Sequence, residues 1–224
     1  MAKIDYPILS DCFAYLDKCE EVRQYFYDND VIGKIVKHID LYLFMYYDFS
    51  FEKSCNALNI YRACLDLKTC YFGGYDTYFV CEFTDGTFLE IDYSVDQGVY
   101  IKYGNDLTLP DKNVKHIPPK YYNNLFDNLI GTKLSGVCMP TELYIQQDYL
   151  TPKKLYDFHP LGFLYLDFSN YEYNLKTKES KIITDDEKRH RDSIGFYCDI
   201  WHWPIIAYLS DRDIPCFESP EVDL

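Results

Sequence analysis

The chain has 224 residues, of which 48% are hydrophobic and 18% aromatic, with 36 acidic and 22 basic side chains. Its formal net charge of −14 disfavours nucleic acid and anionic membranes as direct partners, because binding to either depends on Lys and Arg. The high apolar content excludes a disordered acidic tail, and a chain of this length can bury a core without disulfides or metals.

The segment before Gly73-Gly74 has the spacing of helices. Ser10 and Asp11 can cap a first helix. Its apolar residues recur at helical positions: Phe13, Leu16, Cys19, Val22, Tyr25 and Phe26. Asn29-Asp30 can cap a second helix, with an apolar face of Val31, Ile35, Ile39, Tyr42 and Phe44 to Tyr46. A third helix is predicted over Lys53 to Leu67.

An antiparallel meander is predicted after Gly73-Gly74. Thr77 to Thr84 and Thr87 to Tyr93 alternate as two strands, and the loop length decides which side chains share a face. A two-residue loop would mix polar and apolar side chains, whereas a three-residue loop with Gly86 in the left-handed region separates them. The longer loop buries Phe79, Cys81, Phe83, Leu89 and Ile91 on one face. A third strand follows at Val99 to Tyr103.

The pair Pro118-Pro119 is the expected boundary between two halves, residues 1–117 and 118–224, packed as one globular unit. In the second half we expect a short helix over Lys120 to Asn128 and a strand from Thr132 to Cys138.

A second hairpin is predicted further along the chain. Leu161 to Phe168 would pair with Tyr171 to Lys176 through a two-residue loop. Ser193 to Asp199 alternates as a further strand, and Pro204 argues against a central strand at that point. The predicted class is therefore α+β, with N-terminal helices packed against largely antiparallel β-sheet made of a meander and hairpins.

The sequence contains no motif for catalysis or for a cofactor. The chain has nine cysteines but no C-x-x-C, and its N-terminus lacks the apolar run of a signal peptide, so we expect reduced thiols and a cytoplasmic location. Phosphate loops, a nucleophile elbow and H-E-x-x-H are all absent. We therefore expect no catalytic residue, no metal and no cofactor, and the enzyme class is disfavoured.

The leading hypothesis is a non-catalytic acidic protein that binds and neutralises a basic protein, such as a nuclease or toxin. An immunity protein or an anti-defence inhibitor has this character, because carboxylates accelerate association with a positive active face. As a monomer or small dimer, the protein would use carboxylates for steering and aromatics for anchoring on the outward faces of the hairpins. The candidate residues are Tyr78, Glu82, Phe88, Glu90, Asp92, Tyr100, Tyr165, Asp167 and Glu172.

Three other interpretations stay open. An ordinary half-covered sheet would explain the same outward faces, without any partner. Trp201-His202-Trp203 could line the pocket of a small-ligand-binding protein or a hydrolase, although two tryptophans can also simply anchor the C-terminal segment. Tyrosine-rich faces could also bind copies of the same chain in a structural assembly.

Overall fold

The computed structural model describes residues 4–6, 22–44, 68–71, 77–94, 98–107, 109, 114–119, 124–138, 161–198 and 204–209. These residues form largely antiparallel β-sheet with one α-helical segment, residues 22–28. The strands of the first half are β1 (Ile4–Tyr6), β2 (Val36–Phe44), β3 (Lys68–Tyr71), β4 (Thr77–Phe83), β5 (Phe88–Ser94), β6 (Gly98–Gly104) and β7 (Val114–Ile117). After a 3-10 helix at Asp127–Leu129 come β8 (Lys133–Cys138), β9 (Leu161–Ser169), β10 (Tyr171–Asn174), β11 (Glu179–Ile182), β12 (Arg191–Cys198) and β13 (Pro204–Leu209).

The strands form two large sheets and one small ribbon. A 6-stranded sheet has the order β1-β6-β5-β4-β2-β7, and a 5-stranded sheet has the order β3-β13-β12-β9-β8. Strands β10 and β11 pair only with each other among the described residues. Neighbouring strands are antiparallel throughout these sheets.

One hydrophobic core joins the two large sheets. Phe79 of β4 lies with its ring centroid 5.2 Å from that of Phe196 in β12, in an edge-to-face arrangement. The ring of Phe126 lies 6.1 Å from Phe79, also edge to face. Such geometry is favoured between aromatic rings, and all three side chains are buried. The core contains buried residues from both sides of Pro118-Pro119.

A short stretch of chain before β2 hydrogen-bonds to both sheets. On one side, Val36 N donates to Thr132 O at 2.8 Å and Leu134 N donates to Lys34 O at 2.9 Å. On the other side, Thr84 N donates to Ile35 O at 2.9 Å, at the end of β4. Because successive carbonyls point in opposite directions, residues 34–36 link the edge of the second sheet to the first.

The structure confirms the predicted β4–β5 hairpin. Phe83 N donates to Thr87 O at 2.9 Å, and Cys81 pairs with Leu89. Gly86 has φ of 82°, the left-handed conformation that the three-residue loop requires. The side chains expected on the inner face, Phe79, Cys81, Phe83, Leu89 and Ile91, are all completely buried.

The prediction of a second helix after Asn29-Asp30 is wrong. Residues 36–44 form strand β2, which pairs with β4 on one side and β7 on the other. Ile39, Leu41 and Leu43 are buried, while Asp40 and Tyr42 between them are partly exposed. Apolar residues in this segment satisfy both helical spacing and strand alternation. Pairing with two distant strands decides in favour of the strand.

The first predicted helix is confirmed only at its end, residues 22–28. This segment contacts the first sheet, because Tyr103 N of β6 donates to the Tyr25 hydroxyl at 3.0 Å. Earlier parts of that helix and the predicted helix over Lys53 to Leu67 lie outside the described residues. N-terminal helices packed on the sheet therefore stay a prediction. In the short predicted helix over Lys120 to Asn128, the described part forms turns and the start of the 3-10 helix.

The second predicted hairpin has the wrong partner. Strand β9 pairs with β12 and β8, whereas β10 pairs with β11. Asn170 separates β9 from β10. Its side-chain amide donates to Lys188 O at 2.7 Å, and its backbone carbonyl accepts from Ile183 N at 2.8 Å. The chain therefore continues from β9 into β10 and returns through residues 175–178, instead of turning back at Ser169-Asn170.

The argument from Pro204 against a central strand is also wrong. Strand β13 lies between β3 and β12 in the second sheet. Pro204 is its first residue and pairs with Cys198, while the pairing with β3 begins one residue later at Ile205. Proline is tolerated at the first residue of a strand because no inward ladder bond needs its missing N–H.

Replacement of Gly86 by Ala tests the turn. We expect a loss of about 1 kcal/mol in the free energy of unfolding, because a non-glycine residue is strained at positive φ. No atom lies within 4 Å of an added Cβ, so the loss would come from the backbone alone. Gly86→Asn, which tolerates this conformation better, should lose less in urea unfolding. Equal stability of Gly86→Ala and the natural protein would contradict the assignment.

Candidate functional site

The structure distributes the candidate residues over three places. Tyr78, Glu82, Phe88, Glu90, Asp92 and Tyr100 lie on the neighbouring strands β4, β5 and β6, where Asp92 pairs with both Tyr78 and Tyr100, and Glu82 pairs with Phe88. For Asp92 and Tyr100 the structure describes the strand pairing but not the side chains. Tyr165 and Asp167 lie on β9 of the second sheet, and Glu172 lies on the β10–β11 ribbon. The candidate residues are thus divided between the two large sheets and the ribbon.

Glu90 is part of a buried polar network. Its side chain is 2% exposed, and the Tyr78 hydroxyl donates to one carboxylate oxygen at 2.9 Å. Lys102 Nζ donates to the other oxygen at 3.0 Å and to Asp106 O at 3.1 Å. A buried carboxylate is tolerated only when it is paired and hydrogen-bonded in this way. Glu90 and Tyr78 are therefore placed to hold the sheet together rather than to contact a partner.

Asp167 has the same character in the second sheet. Its side chain is 2% exposed, Ser193 Oγ donates to Oδ1 at 2.6 Å, and Arg191 forms an ion pair with Oδ2. Gly136 lies beside this carboxylate, and an added Cβ there would come within 3.3 Å of Asp167 Oδ2. The glycine makes room for the ion pair. Tyr165 is buried as well, so the outward exposure expected for these two residues is not found.

Among the candidates whose side chains the structure describes, three are accessible to a partner. Glu82 is 25% exposed, its cross-strand neighbour Phe88 is partly exposed, and Glu172 is exposed on the ribbon. Glu82 and Phe88 form the last strand pair before the β4–β5 turn, whose tip carries the exposed Asp85. Phe88 also pairs with Gly104, just before the exposed Asp106. We call Glu82, Asp85, Phe88 and Asp106 the hairpin end.

Asp85 is ionised at neutral pH. The Lys34 ammonium beside it, followed by the Thr87 hydroxyl, lowers the pKa of the Asp85 carboxyl to about 2. Thr87 Oγ1 donates to Asp85 Oδ1 at 2.6 Å, and Thr87 N donates to the same oxygen at 3.1 Å. These bonds also shape the turn. The tip of the hairpin end therefore carries a carboxylate that is held in place by hydrogen bonds.

Sequence reasoning missed a cluster of two histidines around one carboxylate. Asp40 Oδ1 lies 2.7 Å from His116 Nε2 and 3.2 Å from His38 Nε2. The Tyr42 ring lies edge to face with the His116 ring, with 5.3 Å between centroids. His38 and His116 are far apart in sequence, so only the pairing of β2 with β7 could reveal the cluster. Within the described part of the chain, no group of His, Cys, Asp or Glu has an arrangement that could hold a metal.

A second polar cluster lies at the edge of the core. The buried Tyr208 hydroxyl donates to Asp192 Oδ2 at 2.7 Å, and burial, reinforced by this carboxylate, raises the pKa of Tyr208. His190 Nδ1 lies 3.2 Å from the same oxygen, while its Nε2 lies 2.9 Å from Asp186 Oδ2. These contacts anchor the charged run after β11 to the second sheet.

The described thiol of Cys81 is not accessible for nucleophilic chemistry. Burial raises the pKa of the Cys81 thiol, which is completely buried and therefore inert as a nucleophile. The alternative pocket at Trp201-His202-Trp203 lies outside the described residues. No described helix is long and apolar enough to cross a membrane.

Comparison with known proteins adds no assignment. The chain matches no family model, no curated protein and no solved structure.

Two lysine substitutions distinguish a buried ion pair from an exposed one. Lys102→Met would remove the ammonium that bonds the buried Glu90 carboxylate, and we expect the free energy of unfolding to fall by about 3 kcal/mol. Lys37, 58% exposed, bonds Glu82 at 2.6 Å, and Lys37→Met should cost less than about 1 kcal/mol because water screens that pair. Urea unfolding of both variants measures the difference. Equal losses would contradict a structural role for Glu90.

Proposed function

We propose that this is a non-catalytic acidic interaction protein that binds and neutralises a basic protein. An immunity protein acting on a nuclease-type toxin and an anti-defence inhibitor are the two kinds of protein that we have in mind. The net charge of −14 supports the choice of a basic partner. Long-range attraction between opposite charges raises the association rate, and it also makes that rate sensitive to salt.

The observation that carries the proposal is the pairing of Glu82 with Phe88 at the hairpin end. A partly exposed aromatic ring beside an accessible carboxylate provides an apolar anchor and a charged contact at the same place. Asp85 and Asp106 add exposed carboxylates next to this pair. Of the nine candidate residues, Glu82 and Phe88 thus remain the favoured pair for contact with a partner.

The exposed Lys37–Glu82 ion pair is compatible with this role. Lys37 is mostly in solvent, so its contact with Glu82 contributes little to stability. A partner's Arg or Lys can therefore replace Lys37 at a small cost. A partner cannot replace Lys102 in the same way, because its pair with Glu90 is buried. We therefore assign binding to the hairpin end and not to the centre of the sheet.

The experiment begins by capturing basic proteins from a lysate of the source organism at low and high salt, with identification by mass spectrometry. Association of the captured protein is then measured by stopped flow with Glu82→Lys. The control is Glu187→Lys, which makes the same change of charge at an exposed residue after the ribbon.

We expect Glu82→Lys to slow association about tenfold at low salt, with a smaller difference at high salt, because screening weakens the attraction. The control should stay close to the natural protein. Equal slowing in both variants would mean that only total charge matters and would contradict the hairpin end as the binding site. Failure to capture any basic protein would contradict the proposed function itself.

A further inference from the structure

The β10–β11 ribbon exposes its side chains to an unusual extent for this protein. Tyr173 is 48% exposed and Leu175 is 67% exposed. Arg189 lies 4.0 Å over the Tyr171 ring and donates to Ser180 Oγ at 3.0 Å, while Asn174 Oδ1 accepts from Lys176 N at 3.0 Å in the turn. A two-stranded ribbon alone is only marginally stable in water. These contacts stabilise the ribbon. Within the described residues, neither of its two outer edges pairs with another strand.

The open edge of β11 carries unused backbone groups. Ile183 N donates to Asn170 O across the ribbon at 2.8 Å. Because inward and outward backbone groups alternate along an antiparallel strand, Glu179 and Lys181 bond toward β10, and Ser180 and Ile182 point their N–H and C=O away from it. No backbone bond from the described part of the chain reaches this outer side of Ser180 or Ile182. Such an edge is a template for another strand.

The sequence of β11 is complementary to itself. When two antiparallel copies of this strand are centred on Ser180, each Glu179 lies opposite Lys181 of the second copy. Opposite charges in directly facing positions stabilise a strand pair, and like charges destabilise it. Moving the axis by one residue to Lys181 would place two lysines against each other. Of these two arrangements, charge favours the one in which the outward N–H and C=O of the two Ser180 residues also bond each other.

We propose that β11 pairs with β11 of a second copy of this chain about a two-fold axis at Ser180. The two ribbons then form a continuous four-stranded sheet, which is the self-matching type of contact expected in a symmetric dimer. This inference does not use Glu82 or Phe88, so it stands independently of the proposed function. Because the two molecules repel each other through their net charge, the dimer forms best at moderate salt.

Ser180→Pro removes the central N–H that the dimer uses. The same N–H is not needed inside the ribbon, because it points away from β10, and proline is tolerated at such edge positions. Ser180→Ala is the matched control, since it keeps the N–H and loses only the hydroxyl that accepts from Arg189. Sedimentation equilibrium of the full chain, from micromolar to millimolar concentration, measures the dimer constant.

We expect the natural protein and Ser180→Ala to form dimers and Ser180→Pro to remain monomeric. In dilute solution, where all are monomers, Ser180→Pro should have the same free energy of unfolding as Ser180→Ala, because both lack the hydroxyl. A natural protein that stays monomeric at every concentration would overturn the proposal. A dimer constant in Ser180→Pro equal to that of the natural protein would overturn it too, because association would then involve another surface.

Glu179→Lys gives a second test that does not depend on how Ser180→Pro folds. The substitution lowers the negative charge of each molecule, so general repulsion predicts tighter dimers. Pairing at β11 predicts the opposite, about tenfold weaker dimers, because the introduced lysine would face Lys181 of the second copy. Glu187→Lys is the control with the same charge change outside β11 and should not weaken association. Dimers tightened equally by both variants would overturn the proposal.

Discussion

Two carboxylates on the outward sides of the large sheets, Glu90 and Asp167, are almost completely removed from water. A charge in such a position must be paired and hydrogen-bonded, or folding becomes too costly. Lys102 and Tyr78 meet this need for Glu90, while Arg191 and Ser193 meet it for Asp167. The neighbouring strands must therefore keep their register, and the centres of these faces are not available to a partner. The binding that we propose is therefore assigned to the edges of the sheets, above all to the hairpin end, and to the ribbon.

The β4–β5 hairpin could be derived from the sequence because its register depends on residues that are close in the chain. Gly86 permits the left-handed turn, and alternation of the flanking residues selects a single face for burial. Strand β2 could not be derived in the same way. Its apolar residues fit both a helix and a strand, and the choice depends on β4 and β7. The β7 partners lie seventy or more positions away in the sequence.

The pairing of β9 was missed for a related reason. Ser169-Asn170 resembles a two-residue hairpin loop, but the side chain and backbone of Asn170 bond instead to residues 183–190. Local turn propensity cannot detect partners that are so distant in sequence.

In the candidate site, the residue types could be predicted from the sequence, but the exposure of their side chains could not. Glu82 and Glu90 are both outward carboxylates of the β4–β5 hairpin, but Glu82 is 25% exposed and Glu90 is 2% exposed. This difference depends on side chains from other strands.

Glu90 and Asp167 thus serve the fold, whereas Glu82 and Glu172 are accessible to solvent. Labelling of carboxylates with a carbodiimide and an amine, followed by peptide mass spectrometry, measures this directly for all four residues. We expect labelling of Glu82 and Glu172 in the folded protein and of Glu90 and Asp167 only after unfolding in urea. Labelling of Glu90 and Asp167 in the folded protein at the rate of Glu82 would contradict it.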